Sequence, residues 1–212
     1  MLLLEPAASD GLEAFCLGEI EVTVAEFRRC LEAGACDAID PDLMDPPEKA
    51  TLLGDDDQMP INFIGGEEAT QYCKFVGGRL PTEAEWKWAA ESGKDLAFPW
   101  GNRFEYDKEY YCGAWQRPGQ TFTQAVPCRA RQYATDRTEQ GIYDLMGSLN
   151  EIVDRDDTGE YGVTHAPAPV GIYGELPRDD GWLQNDRTHV FRGWPLMYQD
   201  ALGLRCAATP SS

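Results

Sequence analysis

The run Gly77-Gly78-Arg79-Leu80-Pro81-Thr82-Glu83-Ala84-Glu85-Trp86 constrains the fold more than any other part of the chain. It reads as a helix stop followed at once by a helix start. Gly77 suits the left-handed conformation that ends a helix. Pro81 sets the entry angle of the next one. Thr82 and Glu85 have the spacing of a capping box, each satisfying a backbone N–H of the first turn.

The flanks agree with that reading. A helix is predicted over residues 67–76, with Ala69, Tyr72, Cys73 and Val76 facing inward. The next runs over residues 83–91, with Trp86, Ala89 and Ala90 inward. An earlier helix opens on a second capping box, Thr23 and Glu26, and continues to about Glu32. Its inner face carries Phe27, Cys30 and Leu31, and Gly34 ends it. Residues 15–22 alternate as a strand, and residues 60–64 and 141–146 form short apolar pieces. Short strands are expected at 152–153, 189–192 and 203–208. Residues 36–59 and 94–148 lack periodicity and read as loops, with Asp55-Asp56-Asp57 as a solvated acidic turn. No linker splits the chain. The expectation is one loop-rich α+β domain over residues 15–212, preceded by an N-terminal extension, residues 1–14.

The 212 residues carry a net charge of −19. So acidic a surface repels phosphate backbones and argues against nucleic acid as a partner. Cations, a basic protein, another protein ligand or a small molecule fit better. No stretch approaches the roughly 20 apolar residues of a membrane span. Met1-Leu2-Leu3-Leu4-Glu5 lacks the basic start of a signal peptide. Two compartments stay open: extracytoplasmic with a leader removed, or cytoplasmic. Seven cysteines pull toward the first, and their odd number leaves one thiol free unless it pairs between chains.

Four blocks, in order, resemble the formylglycine-generating-enzyme family, also called the sulfatase-modifying-factor domain. The first is Glu21-Val22-Thr23-Val24-Ala25-Glu26-Phe27. The second runs from Pro60 through Tyr72-Cys73 and the stop–start segment to Phe98-Pro99-Trp100-Gly101-Asn102. The third spans Gly141 to Glu151, and the fourth joins Val190-Phe191-Arg192-Gly193 to Gly203-Leu204-Arg205-Cys206. The resemblance implies a C-type-lectin-like fold, with three main helices and short antiparallel strands. The chain departs from the family in the last two blocks. Gly147-Ser148-Leu149-Asn150-Glu151-Ile152 stands where the family has Gly-Asn-x-Trp-Glu-Trp. Arg192-Gly193-Trp194-Pro195-Leu196 stands where it has Arg-Gly-Gly-Ser-Trp. A pocket beside these bulkier, stiffer residues should differ in shape.

Catalytic members of the family oxidise a substrate cysteine with oxygen, using two cysteines after the Arg-Gly-Gly-Ser-Trp block to hold copper. Soft thiolates suit that metal. Here residues 194–205 contain no cysteine, so copper is not expected and no catalytic residue is assigned. A related branch holds iron with several histidines, whereas this chain has only His165 and His189. The third block implies a calcium site instead, carried over as Asp144, the carbonyls of Gly147 and Leu149, and Glu151. Oxygen-only ligands suit calcium. The alternative is that Asp144 caps a turn and Glu151 pairs with an arginine.

The resemblance also implies a Cys73–Cys206 disulfide, closing a long loop worth roughly 4–5 kcal/mol in the chain-entropy model. Proximity in sequence suggests Cys30–Cys36 and Cys112–Cys128, leaving Cys16 over. In a cytoplasmic protein all seven would be buried thiols. The leading functional expectation is a calcium-stabilised, non-catalytic module that binds a protein or small ligand through its loops. Asn150, Arg192, Trp194, Tyr198, Trp115 and Trp182 are the candidate ligand-binding residues. The other expectations are an enzyme of altered chemistry on the same scaffold, with a pocket around Asn150, Arg192 and Trp194, or an accessory subunit of a larger assembly.

Overall fold

The computed structural model describes residues 1–40, 44, 47–94, 96, 98–102, 112, 127–146, 148–154, 161–164, 188–189 and 202–210. Three helices form where the caps direct them: α1 (Val24–Glu32), α2 (Gly66–Phe75) and α3 (Glu83–Ala90). The Thr23 hydroxyl accepts the Glu26 N–H, and the Glu26 carboxylate accepts the Thr23 N–H. Thr82 and Glu85 exchange the same pair of bonds at α3. Glu85 is also gripped by the Arg79 guanidinium at 2.6 and 2.7 Å. Val76, expected on an inner face, is 43% exposed. The reason is that α2 stops at Phe75 and the chain leaves helical phase at Gly77, whose φ is +78°.

Seven short strands complete the described structure: β1 (Leu2–Leu4), β2 (Phe15–Leu17), β3 (Asn150–Asp154), β4 (Tyr161–Thr164), β5 (Thr188–His189), β6 (Leu202–Gly203) and β7 (Ala207–Ala208). One sheet has the order β1-β2-β7, antiparallel throughout. The other has the order β5-β4-β3-β6, antiparallel except for the β3–β6 pair. Residues 2–4, read as part of an N-terminal extension, supply an edge strand, and Leu4 is buried in the core. The single strand expected over 203–208 is divided between the two sheets, with Leu204-Arg205-Cys206 crossing between them.

The stop–start segment stitches both sheets together. Arg79 and Ala207 exchange two backbone hydrogen bonds of 2.8 Å. Two residues on, the Pro81 carbonyl accepts the Asp154 N–H at 2.8 Å. Gly78 is required by this approach, since a Cβ there would lie 2.5 Å from the Ala207 carbonyl oxygen. Strand β3 divides the core, because successive strand residues face opposite ways. Ile152 packs with Phe27, Ile61, Ile64 and Leu204, whereas Val153 packs with Leu4, Phe15, Leu17, Trp86 and Ile142.

Three disulfides join Cys30 to Cys36, Cys73 to Cys206 and Cys112 to Cys128, and Cys16 alone is free. The Asp55-Asp56-Asp57 turn is not simply solvated: Arg129 pairs with Asp56 and Arg28 with Asp57. Among the described residues no helix is long and apolar enough to cross a membrane.

Candidate functional site

The four sequence blocks converge on one buried ion pair, Glu151–Arg205. The fourth block contributes Arg205, which is fully buried in the crossing segment between β6 and β7. Its Nε donates to Glu151 Oε2 at 2.7 Å and its Nη2 to Glu151 Oε1 at 2.6 Å. The second block contributes Trp86, whose indole N–H donates to the same Oε2 at 2.9 Å. The remaining guanidinium N–H groups go to the carbonyls of Gly18, Tyr143 and Asp144 at 3.1–3.2 Å. The first block contributes Glu21, which accepts the Ser148 hydroxyl at 2.8 Å and the Leu149 N–H at 3.0 Å.

The third block is bent around this centre by unusual backbone. Asp144 and Ser148 have φ of +56° and +55°, a region that side chains other than Gly visit rarely. The bends turn the Tyr143 and Asp144 carbonyls toward Arg205. Asp144 Oδ2 accepts the Arg131 N–H at 2.8 Å. Asp136 stands behind the turn: its carbonyl accepts the Asp144 N–H at 3.1 Å and its Oδ2 the Met146 N–H at 3.2 Å. Its Oδ1 is buried and has no hydrogen-bond partner.

Glu21, Asp136, Asp144 and Glu151 are all buried; Arg205 is bonded to Glu151, and its charge also acts on the other three. The electrostatics follow. Burial, and then the charge of Glu151, pushes the Glu21 carboxyl well above the ordinary range. Burial, and then Asp144, does the same to Asp136, and burial raises Asp144 as well. For Arg205, burial is the largest influence and opposes the charge, but the charge and hydrogen bonds of Glu151 together with the charges of Glu21 and Asp144 hold the guanidinium above its usual range.

The expected cation ligands are therefore only partly gathered. Asp144 and Leu149 lie at the turn, Gly147 lies outside the described residues, and both oxygens of Glu151 are bonded to Arg205. Among the described residues no three His, Cys, Asp or Glu side chains group as a metal site. Of the expected ligand-binding residues, Asn150 opens β3, half-buried and paired with Leu202. Arg192, Trp194, Tyr198, Trp115 and Trp182 lie outside the described residues, as does His165. Sequence reasoning missed Glu21, Asp136 and Arg205 as members of the centre. Two of them carried a signal: Glu21 precedes Val22, and Arg205 sits between Leu204 and Cys206, so each places a charge within an apolar run.

The profile of the sulfatase-modifying factor enzyme 1-like domain matches residues 4–210. The inactive C-alpha-formylglycine-generating enzyme 2 of Mus musculus is 30% identical over 169 residues, 72% of this chain and 50% of that protein. The formylglycine-generating enzyme of Mus musculus is 38% identical over 96 residues, 43% of this chain and 26% of that one. The chain thus spans half the length of the first of these relatives and about a quarter of the second. Among solved structures, Treponema denticola variable protein 1 superposes with a TM-score of 0.57 at 16% identity, over 93% of this chain and 85% of that one, a likeness of fold.

Proposed function

The chain belongs to the sulfatase-modifying factor enzyme 1-like domain family, and from that premise we propose that it is a non-catalytic recognition module binding a protein or small ligand through its loops. The observation that carries the proposal is the disposition of the cysteines. All seven are accounted for: six in three bridges, and Cys16 alone in β2. Cys206, the sole cysteine after Cys128, is bonded to Cys73. No two thiols remain to bind copper as a thiolate pair, the arrangement that soft-metal oxidation on this scaffold would need. The likeness to a relative named as inactive supports the same reading.

Calcium as a stabiliser is a second part of the proposal. The buried carboxylates outnumber the guanidinium that faces them, and Asp136 Oδ1 is left without a partner. Hard oxygen donors in excess of positive charge suit a divalent ion. Bound there, calcium would supply charge balance and rigidity to the turn. Glu151 fits this role poorly, since Arg205 and Trp86 already hold its oxygens.

The test of the first part is an oxidase assay. The purified chain is given copper, oxygen, a thiol reductant and a cysteine-containing peptide, and the peptide is analysed by mass spectrometry. The expected result is an unchanged peptide and no copper retained after desalting. Conversion of the cysteine would make the chain an enzyme, and copper retained mole for mole would overturn the absence of a copper site.

A further inference from the structure

We infer that Arg137 and the Tyr143 hydroxyl, with Arg131 beside them, form a binding site for a single carboxylate group. The site uses side chains that the Glu151–Arg205 centre does not, and it goes beyond the recognition reading, which names no ligand chemistry. The chain has 18 basic residues against 37 acidic ones, so a surface guanidinium meets carboxylates readily. Arg28, Arg79, Arg129 and Arg131 pair with Asp57, Glu85, Asp56 and Glu19. Arg137 is exposed and has no carboxylate partner among the described residues. Its guanidinium stands 5.4 Å from the centre of the Tyr143 ring instead.

The local fold puts it there. Arg137 and Tyr143 oppose each other in an isolated antiparallel bridge, so their side chains leave the same face as neighbours. The guanidinium also lies beside Gly141, where a Cβ would be 3.6 Å from Nη2. Seated against a ring and a backbone segment, it loses little further freedom on binding. The Arg131 guanidinium is 5.7 Å from the centre of the same ring and 2.8 Å from Glu19. The Glu19 carbonyl accepts the Tyr143 N–H at 2.8 Å, so one residue fixes both Arg131 and the ring. Tyr143 is half-buried, and its hydroxyl has no hydrogen-bond partner among the described residues.

Guanidinium forks and a phenol hydroxyl donate hydrogen bonds, and their complement is an oxyanion. The fork fits a planar carboxylate through two parallel bonds. Charges beyond about 8 Å are largely screened at physiological ionic strength, so the local balance decides attraction. Glu19 is matched by Arg131, and Glu139 by Lys94 at 2.5 Å. Asp144 and Asp136 are buried, and each accepts a backbone N–H, of Arg131 and Met146. Among the exposed groups, the charge of Arg137 is left over at the ring. A surplus of one charge on an acidic surface favours a monoanion over a phosphate dianion or a polyanion.

Sodium acetate titrated into the full chain at constant ionic strength tests this, read by the NMR signals of the arginine Nε–H groups and the tyrosine rings. The wild type should show saturable shifts at Arg137, Arg131 and Tyr143 that sodium chloride does not produce. Arg137→Gln should weaken binding by about tenfold or more, and Tyr143→Phe by roughly tenfold. Arg29→Gln, which removes the same charge from α1, should bind as the wild type does. An Arg137→Gln chain that binds like the wild type would overturn the site. So would wild-type shifts that do not saturate or that fall on other arginines, a readout that needs no variant to fold. Inorganic phosphate binding more tightly than acetate at neutral pH would overturn the choice of a carboxylate. N-acetyl-triglycine and its C-terminal amide separate the sources: binding of the free acid supports a chain terminus, and binding of acetate alone supports a small organic acid. An amide that binds as well as the acid would overturn the proposal. In each of these failures the cysteine bridges are untouched, and the recognition reading still stands.

Discussion

Arg205 is the residue on which the described structure depends most. It is fully buried, its charge is balanced by Glu151, and its N–H groups reach Gly18, ahead of the first block, and Tyr143 in the third. Removing one member of such a pair strands a buried charge. Arg205→Met is expected to cost about 3–5 kcal/mol in denaturant unfolding. Adding Glu151→Met should restore part of the loss, because no charge is then left unpaired. The restoration should be incomplete, since the carbonyls of Gly18, Tyr143 and Asp144 lose their donor. A double variant no more stable than the single one would contradict the pairing.

Tyr72 gives a second prediction at this scale. Its phenol is pushed up to about 12, by burial first and by Glu26 second, with Arg29 opposing. The folded state therefore holds the phenolic proton more tightly than the unfolded chain does. This contribution is complete below the ordinary tyrosine value of about 10 and is lost as pH rises toward the folded value. Between those limits the wild type should lose stability relative to Tyr72→Phe, and equal slopes would contradict the shift. What the sequence revealed at this scale was uneven. Asp144 and Glu151 were visible as carboxylates at a turn, but Arg205, their partner, lies 54 positions beyond Glu151. Pairing across such a distance leaves no local pattern, so of the two readings open for Glu151, cation ligand or arginine partner, only the fold could show the second.

Among the elements, the helices were legible with their boundaries, whereas the strands expected at 15–22, 152–153 and 203–208 were legible in place but not in their bounds or pairing. Capping boxes and helix stops are local chemistry, so Thr23, Thr82 and Gly77 marked their boundaries correctly. The strands are two to five residues long. They pair with segments far away in sequence, which leaves too little periodicity to read. Residues 15–22 illustrate this: only Phe15–Leu17 is strand, yet Gly18 and Val22 still donate to Cys206 and Leu204. Nor did the stop–start run disclose that it bridges both sheets. That bridging makes Gly78 a sensitive position. Gly78→Ala places a Cβ 2.5 Å from the Ala207 carbonyl oxygen, so the two backbones must part. The expected result is a loss of roughly 1–3 kcal/mol in denaturant unfolding, with faster hydrogen exchange at Arg79 and Ala207. Unchanged exchange at both would show that the bridge is not what holds the segment.

At the scale of the whole molecule, the disulfides and the buried ion pair act on the same join. Cys73–Cys206 ties α2 to the residue after Arg205, over a sequence separation of 133. In the chain-entropy model a loop of that length is worth about 5 kcal/mol. The bridge fixes the crossing segment between the sheets, and with it the position of the guanidinium. The same bridge bears on function, because it removes Cys206 from the pool of thiols. Fold and chemistry are linked here: the covalent tie that holds Arg205 in place is formed from the only cysteine of the C-terminal third. The loops that would carry recognition, including Trp115, Trp182, Arg192, Trp194 and Tyr198, lie outside the described residues.

The most direct measurement is a thiol count. The chain, purified without reductant, is unfolded in the presence of an alkylating reagent and weighed intact, and the modified peptide is then located. The expected result is one alkyl group, on Cys16. Two or more modified thiols with Cys206 among them would contradict the account, because a thiol pair for metal and oxidative chemistry would then be available.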